Sequence, residues 1–320
     1  MTTTKQQTLA SLAFATALTV TQVSAQDFKT EEVQFKSGDN TLSGLLFLPA
    51  ERAPGEKVEG VVVTGAWTTI KEQMPSTYAE ELAKRGMAAL VFDFATWGES
   101  TGETKSLESP TLKTKDIRSA VDYLSTRDEV LDINGLGICA SAGYMVNASL
   151  DNNNLSSIAL VAPWLHNKEI VEQTYGDKEA VQELISTGQS AQKKEAESGE
   201  PQLIPAAGDK DSDALMAGAE YYTEKDRGQI PKWDNTFNLA SWEGWLTFDP
   251  IKSAPKVQQP TLIVHSEKAA IPQGARQFYK DLKAPKEQLW LDGVGQFDFY
   301  DQKEPVSKSV DAAVAHFNTY

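Results

Sequence analysis

The stretch from Gly135 to Tyr144 constrains the fold of this chain more than any other part of it. It follows an apolar run and opens a segment with helical character. It also places the small residues Gly137 and Ser141 two positions on either side of Cys139. A sharp strand-to-helix turn needs small flanks of this kind, because the chain doubles back too closely for larger side chains. The pattern is typical of a nucleophile elbow, so the sequence predicts a thiol presented above a sheet.

The same stretch admits a second interpretation, with Ser141 as the nucleophile between Cys139 and Gly143. The preceding strand would then be two residues longer. A serine without a base is a far poorer nucleophile than a cysteine, so Cys139 is the first choice and Ser141 the alternative. A third interpretation remains open, in which Cys139 is a small buried residue in a catalytically silent fold.

Strand and helix patterns alternate through most of the chain, which predicts an α/β fold with a mostly parallel sheet and helices on both faces. The pattern breaks between the sixth and seventh core strands. There, residues 164–257 contain no predicted buried strand and many aromatic side chains, so we expect a helical lid. The predicted strands are 33–36, 42–48, 58–64, 88–94, 133–138, 158–163, 261–265 and 288–291, and the predicted helices are 76–86, 111–124, 142–150, 169–185, 274–282 and 306–317.

The N-terminal residues predict a cleaved export signal. Lys5 precedes an apolar run at residues 9–20 that is too short to span a bilayer, and Ala25 ends an acceptable cleavage site. The expected mature protein therefore begins at Gln26 and is secreted or periplasmic. The net charge of −15 argues against nucleic acid or an anionic membrane as a partner. The sequence gives no indication of the oligomeric state.

No cofactor or metal is expected. Cys139 is the only cysteine, and the three histidines lack ligand spacing. Residues 209–213 carry aspartates at the spacing of a calcium loop, but Ala214 stands where that loop needs a glycine. We therefore interpret Asp213 as the cap of a helix over 214–222.

Several short motifs accompany the elbow, and together they resemble the dienelactone-hydrolase-like branch of the α/β-hydrolase superfamily. They are Lys71-Glu72-Gln73, Phe92-Asp93-Phe94, Gly98-Glu99-Ser100, Arg227-Gly228-Gln229 and Phe299-Tyr300-Asp301. The resemblance implies a hydrolase core over 26–163 and 258–320, with 164–257 as the lid. It also implies oxyanion donors at the backbone N–H groups of Ala140 and Trp67. The lid aromatics favour an apolar or aromatic small molecule as substrate.

The chain departs from that family at two of its three catalytic positions. Ala269, or its neighbour Ala270, stands at the position of the acid, and Gln296 stands at the position of the base. A glutamine has no titratable proton and cannot act as a general base. His265 and His166 follow strands at the edge where open α/β sheets bind ligands, so either is a candidate base. The N-terminus of the helix after Cys139 could also lower the pKa of the thiol.

The sequence therefore leaves three functions open. The first is a hydrolase of a small ester, thioester or lactone, with Cys139, Gln296 and His265 as the candidate catalytic residues. The second is a protein that binds a ligand on the same scaffold without catalysis. The third is a redox or acyl-carrier role for the thiol.

Overall fold

A computed structural model describes residues 27–53, 55–150 and 152–320. The predicted export signal over 1–25 therefore lies outside the described residues. The strands are β1 (Phe28–Ser37), β2 (Asn40–Pro49), β3 (Val58–Thr64), β4 (Ala88–Phe92), β5 (Val130–Ile138), β6 (Leu155–Val161), β7 (Leu203–Pro205), β8 (Ala207–Gly208), β9 (Met216–Ala217), β10 (Thr236–Asn238), β11 (Thr261–His265) and β12 (Lys286–Trp290). The helices are α1 (Met74–Lys84), α2 (Pro110–Ser125), α3 (Ala140–Ser149), α4 (Lys168–Tyr175), α5 (Lys178–Ser198), α6 (Glu220–Thr223), α7 (Ser241–Leu246), α8 (Pro272–Asp281), α9 (Asp298–Asp301) and α10 (Lys303–Phe317), with a 3-10 helix at Ile251–Lys256.

One eight-stranded sheet in the order β1-β2-β4-β3-β5-β6-β11-β12 organises the molecule. The pairs β1–β2 and β2–β4 are antiparallel, and the remaining neighbours are parallel. Helix α1 packs with α10 and helix α2 packs with α3, and both pairs contact the sheet. The predicted α/β class and the mostly parallel sheet are confirmed. The carboxyl ends of β3, β5, β6 and β11 share one edge of the sheet, where a ligand site is expected.

The central strands form where the sequence places apolar, β-branched runs, because such strands are buried on both faces. Val61, Val62 and Val63 of β3 are fully buried. The first hairpin pairs Ser37 with Asn40 across Gly38, whose φ of 60° suits the tight turn. Among the described residues, no helix combines the length and the apolar character needed to cross a membrane.

The chain between β6 and β11 differs from the sequence prediction in three places. The helix predicted over 169–185 is two helices, α4 and α5, separated at Gly176, and α5 continues to Ser198. The helix expected over 214–222 is wrong, because residues 216–217 form β9 beside β8 and helix begins only at Glu220. The expectation of no buried strand in this segment also fails at β10, where Phe237 and Asn238 are buried.

Candidate active site

Cys139 occupies the sharp turn between β5 and α3. Its φ of 57° and ψ of −118° lie outside the regions that most residues adopt, and backbone strain of this kind clusters at functional sites. The turn is fixed on both sides: the Cys139 N–H donates to the Val161 carbonyl at 3.0 Å, and the Cys139 carbonyl accepts from the Trp164 N–H at 2.9 Å. A Cβ on Gly137 would lie 2.8 Å from Ala142 Cα, which explains the small flank.

Ser141, the alternative nucleophile, is the second residue of α3 and is fully buried. Its hydroxyl donates to the Ile138 carbonyl at 3.1 Å and accepts from the Ile138 N–H at 3.2 Å. The Ser141 hydroxyl therefore closes the elbow on its inner side. Cys139, and not Ser141, has the strained backbone conformation of an elbow residue.

A cavity of about 390 Å³ opens above Cys139. None of its described lining residues is charged, and most of the lining is aromatic or aliphatic. Half of the lining comes from residues 164–257, and Trp67, Phe297 and Tyr300 add aromatic walls from the core. The lining residues are Trp67, Cys139, Ala140, Trp164, Thr174, Tyr175, Leu215, Met216, Tyr222, Trp245, Ala270, Gln296, Phe297 and Tyr300. An uncharged apolar ligand fits this environment, because a charged group there would lose its hydration without a partner.

Four groups face the sulfur of Cys139. Burial raises the pKa of the thiol, and the Tyr300 hydroxyl, the N–H groups of Ala140 and Trp67 and the Gln296 amide lower it by less. The thiol is therefore neutral at neutral pH. The two predicted oxyanion donors and the residue at the base position thus all favour the thiolate form of Cys139.

Gln296 has all of its amide hydrogen-bonding groups engaged. Its Nε2 donates to the Ala162 carbonyl at 3.0 Å and to the Tyr300 hydroxyl at 3.1 Å, and its Oε1 accepts from the Ala270 N–H at 3.0 Å. Because Tyr300 Oη accepts from Gln296, its own proton is free to point toward Cys139 Sγ. The result is a directed chain of donors that runs from Ala270 through Gln296 and Tyr300 to the sulfur.

Tyr300 is the functional residue that sequence reasoning did not assign. It is 1% exposed and lies in α9, and burial raises its pKa well above the ordinary value. Arg227 holds α9 in place by donating to both carboxylate oxygens of Asp301, at 2.6 and 2.7 Å. The available signal was the short distance in sequence: Tyr300 follows Gln296 by four positions, in the helix that begins directly after the turn at Gln296.

The structure does not bring His265 into contact with Cys139. The His265 ring stacks on Trp290 with centroids 5.2 Å apart, and it does not line the cavity. Neither ring nitrogen makes a hydrogen bond of normal geometry within the described chain. Burial lowers the pKa of His265 to about 4, by more than the facing Ala270 backbone raises it.

His166 is equally enclosed. Its Nδ1 accepts from Trp164 Nε1 at 3.0 Å, and its ring packs edge-on against Trp245 with centroids 4.7 Å apart. Burial lowers its pKa to about 4, which keeps the ring neutral at neutral pH. Ala269, at the acid position, is buried and offers only a methyl group. Among the described residues, no group of three or more His, Cys, Asp or Glu side chains is placed to hold a metal ion.

Two bacterial proteins resemble this chain over most of its length. The uncharacterized protein YcjY of Escherichia coli is 28% identical over 307 residues, which cover 89% of this chain and 97% of YcjY. The uncharacterized protein PA2218 of Pseudomonas aeruginosa is 28% identical over 279 residues, which cover 83% of this chain and 74% of PA2218. The chain matches no protein-family model.

Several solved structures have a fold similar to that of this chain. The crystal structure of PA2218 superposes with a TM-score of 0.80 at 24% identity, covering 95% of this chain and 99% of that chain. DcsB in complex with its substrate analogue gives 0.77 at 18%, covering 91% and 99%. Est1E of Butyrivibrio proteoclasticus with bound ferulic acid gives 0.63 at 17%, covering 90% and 100%.

Dienelactone hydrolase of Anabaena variabilis is also among the similar structures, with a TM-score of 0.53 at 12% identity over 92% of this chain and 99% of that chain. The resemblance inferred from the elbow and the short motifs is thereby confirmed for the fold. With its sheet order, its strained elbow at Cys139 and these structural relatives, the chain is an α/β-hydrolase-fold protein.

Proposed function

We propose that the protein is a hydrolase that cleaves small, uncharged ester, thioester or lactone substrates through a covalent intermediate on Cys139. The observation that carries this proposal is the convergence of the Trp67 and Ala140 N–H groups on the sulfur of the elbow residue, inside an apolar cavity. Backbone donors in this position stabilise the negative oxygen of a tetrahedral intermediate.

In the proposed reaction, Cys139 Sγ forms a bond to the substrate carbonyl carbon, and the bond to the leaving group breaks. The carbonyl oxygen carries the negative charge between the Ala140 and Trp67 N–H groups. The Tyr300 proton turns from the sulfur to the leaving group and passes to it while the thiol proton passes to Tyr300 Oη, so the tyrosine relays a proton without changing its charge. A water molecule then attacks the acyl group on Cys139, and its proton returns to the sulfur by the same route.

The cavity supports an aromatic or apolar acyl group as the substrate class. Its uncharged lining offers no group of opposite charge to a carboxylate or an ammonium group. The indole N–H of Trp67 is buried without a partner within the described residues, so it is available to an acceptor atom of a ligand. The bound ferulic acid of Est1E is an aromatic acid held by the same fold. Residues 164–257 act as a lid in this proposal, and export through the signal over 1–25 remains part of it.

A second candidate is a binding protein that holds the same ligand without turnover. The full engagement of the Gln296 amide favours it, because that side chain has no group left to assist a reaction. The raised pKa of the Cys139 thiol favours it as well.

Hydrolysis of p-nitrophenyl acetate, p-nitrophenyl benzoate and the matching thioesters decides between these functions. We expect an acyl adduct on Cys139 in rapidly quenched mixtures, no turnover by Cys139→Ala, and about a hundredfold lower kcat for Tyr300→Phe. Ser141→Ala is the matched control and should keep turnover. Tight binding of the benzoate ester by wild type and by Cys139→Ala, with no turnover and no adduct, would show that the protein only binds.

A further inference from the structure

Glu108 is a fully buried carboxylate at the start of α2 that joins three parts of the molecule. Its Oε2 accepts from the Thr68 N–H at 3.1 Å, and its Oε1 accepts from the Tyr144 hydroxyl at 2.7 Å. Lys113 Nζ lies 2.7 Å from the same Oε1. Thr68 belongs to the loop after β3, and Tyr144 belongs to α3, the helix that follows Cys139. One carboxylate therefore connects both elements that supply the oxyanion donors.

The loop at Thr68 would not adopt its shape without such contacts. Thr68 has a φ of 64°, in the left-handed region that a β-branched residue rarely enters. A conformation of this kind persists only where the surroundings hold it. Glu108 holds the Thr68 N–H, and Trp233 Nε1 donates to the Thr68 carbonyl at 2.7 Å. Both backbone polar groups of the strained residue are thus fixed by partners distant in sequence.

The neighbouring peptide carries the oxyanion donor. The Ala66 carbonyl accepts from the Thr69 hydroxyl at 2.7 Å. In a planar trans peptide the N–H points away from the carbonyl, so this bond directs the Trp67 N–H to the opposite side. That N–H lowers the pKa of the Cys139 thiol, and Trp67 and Cys139 line the same cavity. With Thr68 fixed next to it, Trp67 is held from both sides.

Lys113 makes the buried carboxylate possible. Its Nζ lies 4.7 Å from the ring centre of Phe94 and 4.8 Å from that of Trp97, inside a cage of aromatic faces. A carboxylate without hydration needs such a partner, because an unpaired buried charge is strongly unfavourable. The cage and the ion pair keep the Glu108 carboxylate buried where it accepts from the Thr68 N–H and the Tyr144 hydroxyl.

We propose that Glu108, paired with Lys113, is a positioning residue that sets the direction of the Trp67 N–H and thereby completes the oxyanion hole. Its effect on turnover rests on the proposed function. Its effect on the Cys139 thiol does not, because the Trp67 N–H lowers the pKa of that thiol in the protein without a substrate.

The test measures the alkylation rate of Cys139 by iodoacetamide as a function of pH, which is unambiguous because the chain has one cysteine. Glu108→Leu removes the acceptor of the Thr68 N–H and leaves Lys113 unpaired, so the double variant Glu108→Leu, Lys113→Met is measured beside it. Asp116→Asn is the matched control. Asp116 is an equally buried carboxylate, and it accepts from the Ala95 N–H at 2.8 Å instead of from the loop that carries the oxyanion donor.

We expect both Glu108 variants to raise the thiol pKa by about one unit and to slow alkylation about tenfold at a fixed pH, because the thiolate loses one donor. With an ester that the wild type hydrolyses, kcat should fall with little change in KM, since the oxyanion forms only during the reaction. Asp116→Asn should match the wild type in both assays.

The outcomes separate the two proposals. A shifted thiol pKa together with a wild type that hydrolyses nothing would remove the hydrolase and leave the positioning role of Glu108 intact. A folded double variant with the alkylation profile of the wild type would overturn the positioning role, whether or not the protein is a hydrolase.

Discussion

Gln296→His introduces an imidazole at the position where the related enzymes carry their base, and its consequences follow from the hydrogen bonds of Gln296. The Gln296 side chain has three partners: Ala162, Tyr300 and Ala270. A neutral imidazole has one donor and one acceptor, so it can replace two of these bonds at most. Because the position is half-buried, the group left over should cost about 1 kcal/mol of stability.

In free-energy terms, the expected gain in the turnover rate is larger than this loss of stability. A positioned general base contributes about 10²–10⁴-fold to a rate. Gln296 and Cys139 line the same cavity, and the Gln296 amide lowers the pKa of the thiol, so an imidazole at this position lies near the sulfur. We expect turnover of p-nitrophenyl esters to rise at least about a hundredfold and to increase with pH through the ordinary imidazole pKa of about 6.5. Adding Ala269→Asp should increase the rate further by orienting the ring.

The assay combines ester turnover, the pH profile of Cys139 alkylation and thermal unfolding, with Gln296→Leu as a control of similar size that has no base. Faster alkylation without turnover would indicate a working thiolate in a cavity that does not admit the ester. An alkylation profile that is the same for Gln296→His and Gln296→Leu would refute the reasoning, because the side chain at 296 would then not face the sulfur.

Two further predictions concern stability. Burial lowers the pKa of His265 from 6.5 to about 4, so the unfolded chain binds a proton in that range and the native ring does not. Stability is therefore lost as the pH falls, and urea unfolding should show about 3 kcal/mol more loss between about pH 7 and pH 4 for wild type than for His265→Leu. Gly274→Ala places a Cβ 1.8 Å from the Leu165 carbonyl oxygen, a backbone atom that cannot easily move. It should cost about 3 kcal/mol in urea unfolding, while Gly244→Ala, whose nearest atom is 3.7 Å away, should stay within about 0.5 kcal/mol.

The core was predictable because each of its elements is specified locally. Strands β3 and β11 have the bounds that the sequence predicts, since their β-branched residues suit strands buried on both faces. The elbow at Cys139 was predictable for the same reason, because it is a steric requirement within the five residues from Gly137 to Ser141. Residues 203–238 were not predictable in this way. The short strands there pair with one another, so their bounds depend on contacts that periodicity does not record.

The candidate site also contains some groups that the sequence predicts and others that only the folded chain reveals. The Ala140 and Trp67 donors are backbone groups, so the fold alone implies them. The role of Tyr300 depends on which of its neighbours donates to it, and the sequence does not specify that. Glu108 meets Thr68 across forty positions of sequence, and only the folded chain shows that this carboxylate supports the oxyanion loop.

In the proposed hydrolase, the site retains the half of an acyl-transfer centre that stabilises anions and changes the half that moves protons. The retained half consists of backbone N–H groups, which substitutions at 269 and 296 do not remove. In the proposed relay, Tyr300 must give a proton to the leaving group as it takes one from Cys139, and its raised pKa makes it a weak acid. A leaving group that departs as a stable anion depends least on receiving that proton. A thiolate, whose thiol has a pKa of about 8.5, is far more stable than an alkoxide. We therefore place thioesters and aryl esters ahead of alkyl esters among the substrates of the proposed hydrolase.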